Sequence, residues 1–218
     1  IGQSNGLVTS SVPIFRRDQA LVSRERSKKL YQVLPYYLAR TAAELTTSIV
    51  VPMVHVMIAY WTTNLRMEVG PFFMFMLLFY LTLTSAQSIG FLLSASLPSL
   101  QVALVLAPTI SIFFLIMGGF YVPFANIPLF IRWSIYLSFA SYGYSGLLIN
   151  EYRGRDIPCG ADVSISIGGG ECPVKGEDVL EALGITGLFS KMWFNILMMI
   201  ILQAACRVGA YIFLRRTS

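Results

Sequence analysis

The sequence predicts an all-α, multi-pass membrane domain. Three observations predict it. Hydrophobic residues make up 56% of the 218 and charged residues only 12%, about half the charge of an ordinary soluble domain. Four apolar stretches are long enough to cross a bilayer, which takes about 20 residues. The charges that remain are sorted, basic at the two ends and acidic in one loop. This composition excludes an ordinary cytosolic enzyme, and it excludes disorder, which needs low hydrophobicity. The net charge of +5 does not point to nucleic acid, because the basic residues flank apolar spans.

The elements follow in order. The chain begins at Ile1 inside an apolar stretch and reads as a piece of a longer protein, with residues 1–15 closing a truncated span. Residues 15–30 carry Arg16, Arg17, Arg24, Arg26, Lys28 and Lys29 against Asp18 and Glu25. With Leu21, Val22 and Leu30 they form a candidate amphipathic helix at the membrane surface. The spans are 36–61, 71–97, 102–122 and 191–214. Between the last two, 123–150 contains Pro123, Pro128, Arg132 and many small residues. It reads as re-entrant helices, since irregular backbone at membrane depth must be packed in protein. A further full crossing there is the alternative, and it would invert the end of the chain. The loop 151–190 holds Glu151, Asp156, Asp162, Glu171, Glu177, Asp178 and Glu181 against Arg153, Arg155 and Lys175.

Lys and Arg near the spans set orientation. Residues 16–35 are then cytoplasmic and 151–190 extracellular, and four crossings return Arg215 and Arg216 to the cytoplasmic side. Cys159 and Cys172 fall in the oxidising compartment, so a disulfide is expected there; two free thiols are the alternative. Two cysteines with no nearby His make no zinc site, and no metal site is expected. Cys206 is a small packing residue in the last span.

Phosphate-loop, G-x-S-x-G and H-E-x-x-H motifs are absent from the sequence, so no nucleotide, acyl-transfer or zinc-hydrolase chemistry is expected of this chain. Arg40 and Glu44 stand one helical turn apart inside the first full span and read as an intramembrane ion pair or a snorkelling interfacial one. His55 is deeper, with no carboxylate at its depth, and reads as a packing residue rather than a proton relay. Pro52 and Pro108 would loosen their helices. Thr109, Ser111, Gly118 and Gly119 interrupt bulky residues near Phe113, Phe114, Phe120 and Tyr121, giving small-residue contact surface and aromatic surface together. Ion-coupled carriers place charges at mid-membrane. Two spans here have none, which suits an apolar or amphipathic cargo and an energy source elsewhere.

Three blocks resemble one family. In 23–45, Glu25, Arg26, Tyr31, Tyr36, Arg40, Glu44 and Leu45 fall at its spacings. In 118–152, a G-G-F-Y-V start, Ile127–Pro128, Arg132–Trp133 and the closing Asn150–Glu151–Tyr152 match a long signature. The Cys159…Cys172 loop leads into 176–180 and a final helix. The chain is similar to the membrane domain of ABC transporters of the G, or White-type, subfamily. That resemblance implies an ABC-2 (type V exporter-like) transmembrane helical domain of a half-transporter. It implies an ATP-driven exporter of hydrophobic or amphipathic molecules (lipids, sterols or xenobiotics) in the plasma membrane; a passive channel-like permease or scaffold without ATP coupling is the alternative. The partners implied are an N-terminal ATPase domain outside this chain, where ATP and Mg would bind, a second half-transporter in a homo- or heterodimer, and membrane lipids; no cofactor binds this chain. Residue by residue, Arg24, Glu25 and Arg26 would touch the ATPase domain. Thr109, Ile112, Phe113 and Leu115 would line a substrate cleft, Gly119, Phe120 and Tyr121 an outer gate, and Cys159–Cys172 would form the intrachain bridge.

Overall fold

The computed structural model describes residues 2–13, 33–63, 65–66, 68–97, 99–157 and 174–217. The segment with Arg24, Glu25 and Arg26, the cysteines Cys159 and Cys172, and the side chains of Arg40 and Glu44 lie outside what is described. Residues 2–13 form helix α1. Helices α2 (Val33–Thr62), α3 (Val69–Ser96), α4 (Leu100–Ile116), α5 (Phe139–Tyr152), α6 (Gly176–Ala182) and α7 (Met192–Thr217) follow. Two 3-10 turns, Phe124–Asn126 and Arg132–Leu137, stand between α4 and α5. Two-residue strands β1 (Asp156–Ile157) and β2 (Val174–Lys175) pair antiparallel, a minor exception to an otherwise all-α architecture.

Among the described residues, Val69–Ser96 and Met192–Phe213 are long and apolar enough to cross a membrane. At 1.5 Å per residue, the 28 residues of α3 extend about 42 Å. The 17 residues of α4 reach about 26 Å, less than a typical hydrocarbon core. Here the structure departs from the sequence expectation. The apolar run continues to Val122, but the helix stops at Ile116. Met117 is the C-cap, Gly118 N–H donates to Leu115 O at 3.1 Å, and Gly119 takes φ +86°. That left-handed conformation suits glycine, and a Cβ on Gly119 would collide with the Phe124 ring.

Helix α3 is the centre of the bundle. Every residue from Leu83 to Phe91 is buried, so its apolar character all round reflects neighbours on all sides. Its most extensive packing is with α7, then α5. Helix α1 approaches so closely that a Cβ on Gly90 would collide with Ser11 Oγ and lie 2.8 Å from Val8 O. Val8, Val12, Ala86, Ile89, Ala103, Ala107, Leu115, Phe139 and Ala140 make one core shared by α1, α3, α4 and α5. Ala103, Ala107, Ser111 and Leu115, each four apart, form the buried stripe of α4, and Ser99 caps that helix by accepting from Val102 N–H at 3.3 Å.

The polar side chains of α3 are bonded across to α7. Thr84 Oγ1 donates to Gln203 Oε1 at 3.1 Å, and Ser85 Oγ to Met199 O at 3.4 Å. Arg207 Nε donates to Ser88 Oγ at 3.0 Å. An ionised side chain within an apolar helix requires such partners. Replacing Ser88 with Ala is expected to lower the stability of the detergent-extracted full-length protein by about 1 kcal/mol, within the range of interhelical hydrogen bonds in membranes. A thermal-unfolding midpoint unchanged from wild type would contradict this role.

Beyond the break after α4, Ser138 Oγ reaches back to Phe114 O at 2.7 Å. The Phe124, Tyr136 and Tyr142 rings gather around Phe189, with centroids 5.4–5.7 Å away. Glu177 and Asp178 occupy the first turn of α6, where acidic residues favour a helix start. Of three exposed tryptophans, Trp61, Trp133 and Trp193 (63%, 67% and 79%), Trp61 and Trp193 belong to one end of the bundle. Trp61 ends α2, Trp193 begins α7, and Trp133 lies on the 3-10 turn that meets Phe189 through Tyr136. Tryptophans concentrated this way mark a membrane–water interface.

Candidate functional site

Helices α1 and α4 flank an open groove of about 630 Å³ lined by Gly2, Asn5, Ile112, Leu115, Ile116 and Tyr121. Its walls are apolar except for Asn5, whose Oδ1 is enclosed and accepts no hydrogen bond. A second, smaller cavity of about 70 Å³ lies behind it, between Ser4, Phe79, Thr82, Leu115, Gly118 and Phe120. Leu115 is the wall common to both.

Of the cleft residues expected from sequence, the groove brings together Ile112 and Leu115. Ile112 is exposed, but Leu115 is only 4% exposed and belongs to the core. Leu115 therefore packs the bundle and presents one edge to the groove. Thr109 and Phe113 are exposed on α4 but do not form the groove wall. The Thr109 hydroxyl donates to Val105 O at 2.9 Å, so its donor is used within the helix. Phe113 tilts against Phe114, centroids 5.9 Å apart.

The gate residues divide in the same way. Gly119 is buried and makes the turn. Phe120 and Tyr121 are exposed and meet edge to face at 5.1 Å, and Phe120 meets Tyr144 edge to face at 5.8 Å. Tyr121 closes one end of the groove, and Phe120 covers the smaller cavity. Among the described residues no cluster of His, Cys, Asp or Glu is arranged to hold a metal ion.

Sequence reasoning missed Asn5, Tyr144 and a charged cluster at the α2–α3 end. There, Arg66 Nε donates to Glu68 Oε1 at 2.8 Å and Arg66 N–H to Glu151 Oε2 at 3.2 Å, while Arg155 Nη1 donates to Glu151 Oε1. The Glu68 hydrogen bond raises the Arg66 guanidinium above its ordinary pKa, so it stays charged. The signal for Glu151 lay in the Asn150–Glu151–Tyr152 close of the long signature. Asn5 has no such signal, because one Asn in an apolar run says nothing of the face it occupies.

Residues 3–152 match the family described as ABC-2 type transporter. The chain belongs to this family. The ABC-2 domain is also similar to ABC transporter G family member 1 of Dictyostelium discoideum, 30% identical over 100% of this chain and 28% of that protein. It is 32% identical to Protein white of Ceratitis capitata over 93% of this chain and 29% of that protein. With the ABC transporter ATP-binding protein/permease wht-1 of Caenorhabditis elegans it is 28% identical over 93% of this chain and 30% of that protein. The chain thus spans under a third of the length of these curated relatives. Two of the three blocks that carried the White-type resemblance, 23–45 and 118–152, lie within the matched ABC-2 residues, and the relatives are G-family and White proteins.

Proposed function

We propose that this ABC-2 domain is the membrane half of an ATP-driven exporter for hydrophobic or amphipathic molecules, and that the α1–α4 groove is one wall of the cargo path. The observation that carries the reading is the groove itself, apolar along Ile112, Ile116 and Tyr121 with the Asn5 side chain as a polar point on its wall. Such a site takes greasy molecules and orients them through few polar groups. Exposed Val102, Val105, Thr109, Ile112 and Ile116 recur at alternating spacings of three and four along α4. That stripe suits a facing helix from a second half-transporter. The names of the wht-1 and G-family relatives supply the ATP-coupled part of the reading.

In this reading the α2–α3 end faces outward, and Gly119, Phe120 and Tyr121 form the outer constriction. Arg24, Glu25 and Arg26 receive the push of the ATPase domain, and ATP and Mg bind in that domain. Arg40 and Glu44 form an ion pair within α2, and the whole assembly works in the plasma membrane. The β1–β2 register supports the Cys159–Cys172 bridge. Asp156 faces Lys175 and Ile157 faces Val174; a register continued two steps further would bring Cys159 opposite Cys172.

The test uses full-length protein in lipid vesicles with a fluorescent hydrophobic cargo. Wild type moves cargo in an ATP-dependent way. Ile112→Trp, which fills the groove, raises KM for the cargo at least fivefold while basal ATP hydrolysis is kept. Asn5→Ala raises KM more for cargo bearing a hydroxyl than for its deoxy analogue. Cargo movement independent of ATP would instead favour a passive permease.

A further inference from the structure

We propose that Glu151 is a positioning residue that latches the α2–α3 turn to α5, so that a displacement of α2 reaches the break after α4. The proposal rests on the exporter reading for its consequence and on geometry for the latch. Neighbouring side chains at the end of α5 hold the segment leading into α3. Asn150 Nδ2 donates to Pro71 O at 2.9 Å, and Glu151 Oε2 accepts from Arg66 N–H at 3.2 Å. The turn is fixed to α2 by the Tyr60 hydroxyl, which donates to Arg66 O. It is fixed to the root of the following loop by Arg66 Nη1, which donates to Arg153 O at 3.4 Å.

The Glu151 side chain is only 13% exposed. Its other oxygen accepts from Arg155, whose own carbonyl accepts Gly176 N–H at 2.9 Å. One carboxylate therefore joins the α2–α3 turn, the end of α5 and the residues that flank the β1–β2 pair. Exposed ion pairs contribute little, but a carboxylate that accepts a backbone N–H fixes the path of the main chain.

The opposite end of α5 is tied to the break. A Cβ on Gly118 would come within 2.7 Å of Ala140 Cβ, and Ser138 Oγ holds Phe114 O. Midway, Gly143 and Gly146 lie against Thr82 and Leu78 of α3. Helix α5 is thus a short bar resting on α3. One end is fastened to the turn that α2 feeds, the other to the residues that precede Phe120 and Tyr121. Removing Glu151 unfastens the first end and leaves the second intact.

Wild type, Glu151→Ala, Glu151→Gln and Arg155→Ala are compared as full-length protein in the same vesicles, with ATP hydrolysis and cargo efflux both measured. The expected result is a threefold or greater fall in cargo moved per ATP for Glu151→Ala, at normal yield and basal hydrolysis. Glu151→Gln, which can still accept the Arg66 N–H, recovers at least half of the loss, and Arg155→Ala has the smallest effect. Equal cargo per ATP in Glu151→Ala and wild type overturns the proposal. So does a parallel fall in yield, hydrolysis and efflux that Gln does not rescue. A spin-label pair at Thr63→Cys and Arg153→Cys reads the latch without transport: a narrow distance distribution broadens when Glu151→Ala is added, and broadens less with Glu151→Gln. An unchanged distribution overturns the latch. Absent ATP-driven efflux in wild type would sink the exporter reading while leaving this distance result to decide the latch.

Discussion

Replacing Gly143 with Ala is expected to destabilise the domain by about 3 kcal/mol, at the upper end of the cost of overpacking a close-packed interior. The new Cβ would collide with Thr82 Oγ1, stand 2.8 Å from Thr82 Cγ2 and 3.1 Å from Thr82 Cβ. Thr82 cannot swing away freely, because its hydroxyl donates to Leu78 O at 2.8 Å. It also faces Met199 Sδ at 3.7 Å, so α3, α5 and α7 meet at this point. Adding Thr82→Ala removes the two closest atoms and leaves the 3.1 Å contact, so the double variant should regain most of the loss. The cost of the missing Thr82 hydrogen bond, about 1 kcal/mol, sets the ceiling on that rescue. The readout is the thermal midpoint of the detergent-extracted full-length protein by size exclusion. Wild-type stability in Gly143→Ala alone would contradict the α3–α5 packing.

Breaking the proposed Cys159–Cys172 bridge is expected to cost a similar amount. Closing a loop of this length stabilises by about 3 kcal/mol in the chain-entropy model. The β1–β2 pairing presents the two chain ends that lead toward the cysteines side by side. Below the pair, Gly176 admits the chain where a Cβ would collide with Tyr152 O. Cys159→Ser and Cys172→Ser should each lower the unfolding midpoint by the same amount, and the double variant no further, because either change opens the same loop. Each single variant exposes one thiol to alkylation where wild type exposes neither before reduction. Additive losses, or wild-type loop thiols that alkylate without reductant, would show that the cysteines are free.

Much of the helical plan was legible because long apolar runs have few other folded solutions in a membrane. The cores of α3 and α7 are such runs. Their packing was not legible. An uncharged helix offers no polar stripe to say which face is buried, and α3 turns out to be buried on every side through Leu83–Phe91. The end of α4 was misjudged for a related reason. Met117–Val122 is as apolar as the helix before it, and hydropathy does not register the left-handed Gly119 that ends it. The Gly118–Gly119 pair was the available clue, and its conformational meaning outweighs the hydropathy.

The site divides along the same line. Ile112, Phe120 and Tyr121 are exposed large side chains around the cavities, and their positions followed from the family's spacing. Leu115 followed from the same spacing, yet it is mostly core, because an i, i+4 stripe of Ala103, Ala107 and Ser111 turns that face of α4 inward. Asn5 and the Glu151 cluster depend on contacts between segments far apart in sequence. Glu151 meets Arg66 across a separation of 85 residues, and local pattern carries no record of such a pairing.

The most direct test of alternating access through the α1–α4 groove is thiol labelling of Ile112→Cys and Tyr121→Cys in full-length protein in vesicles. Membrane-impermeant reagent is applied from either side, with and without ATP and vanadate. The account predicts that Ile112→Cys reacts from the cytoplasmic side at rest and is protected by cargo. It predicts that trapping lowers this reaction and raises that of Tyr121→Cys from the opposite side. Labelling of both positions that is indifferent to nucleotide and to cargo would contradict it.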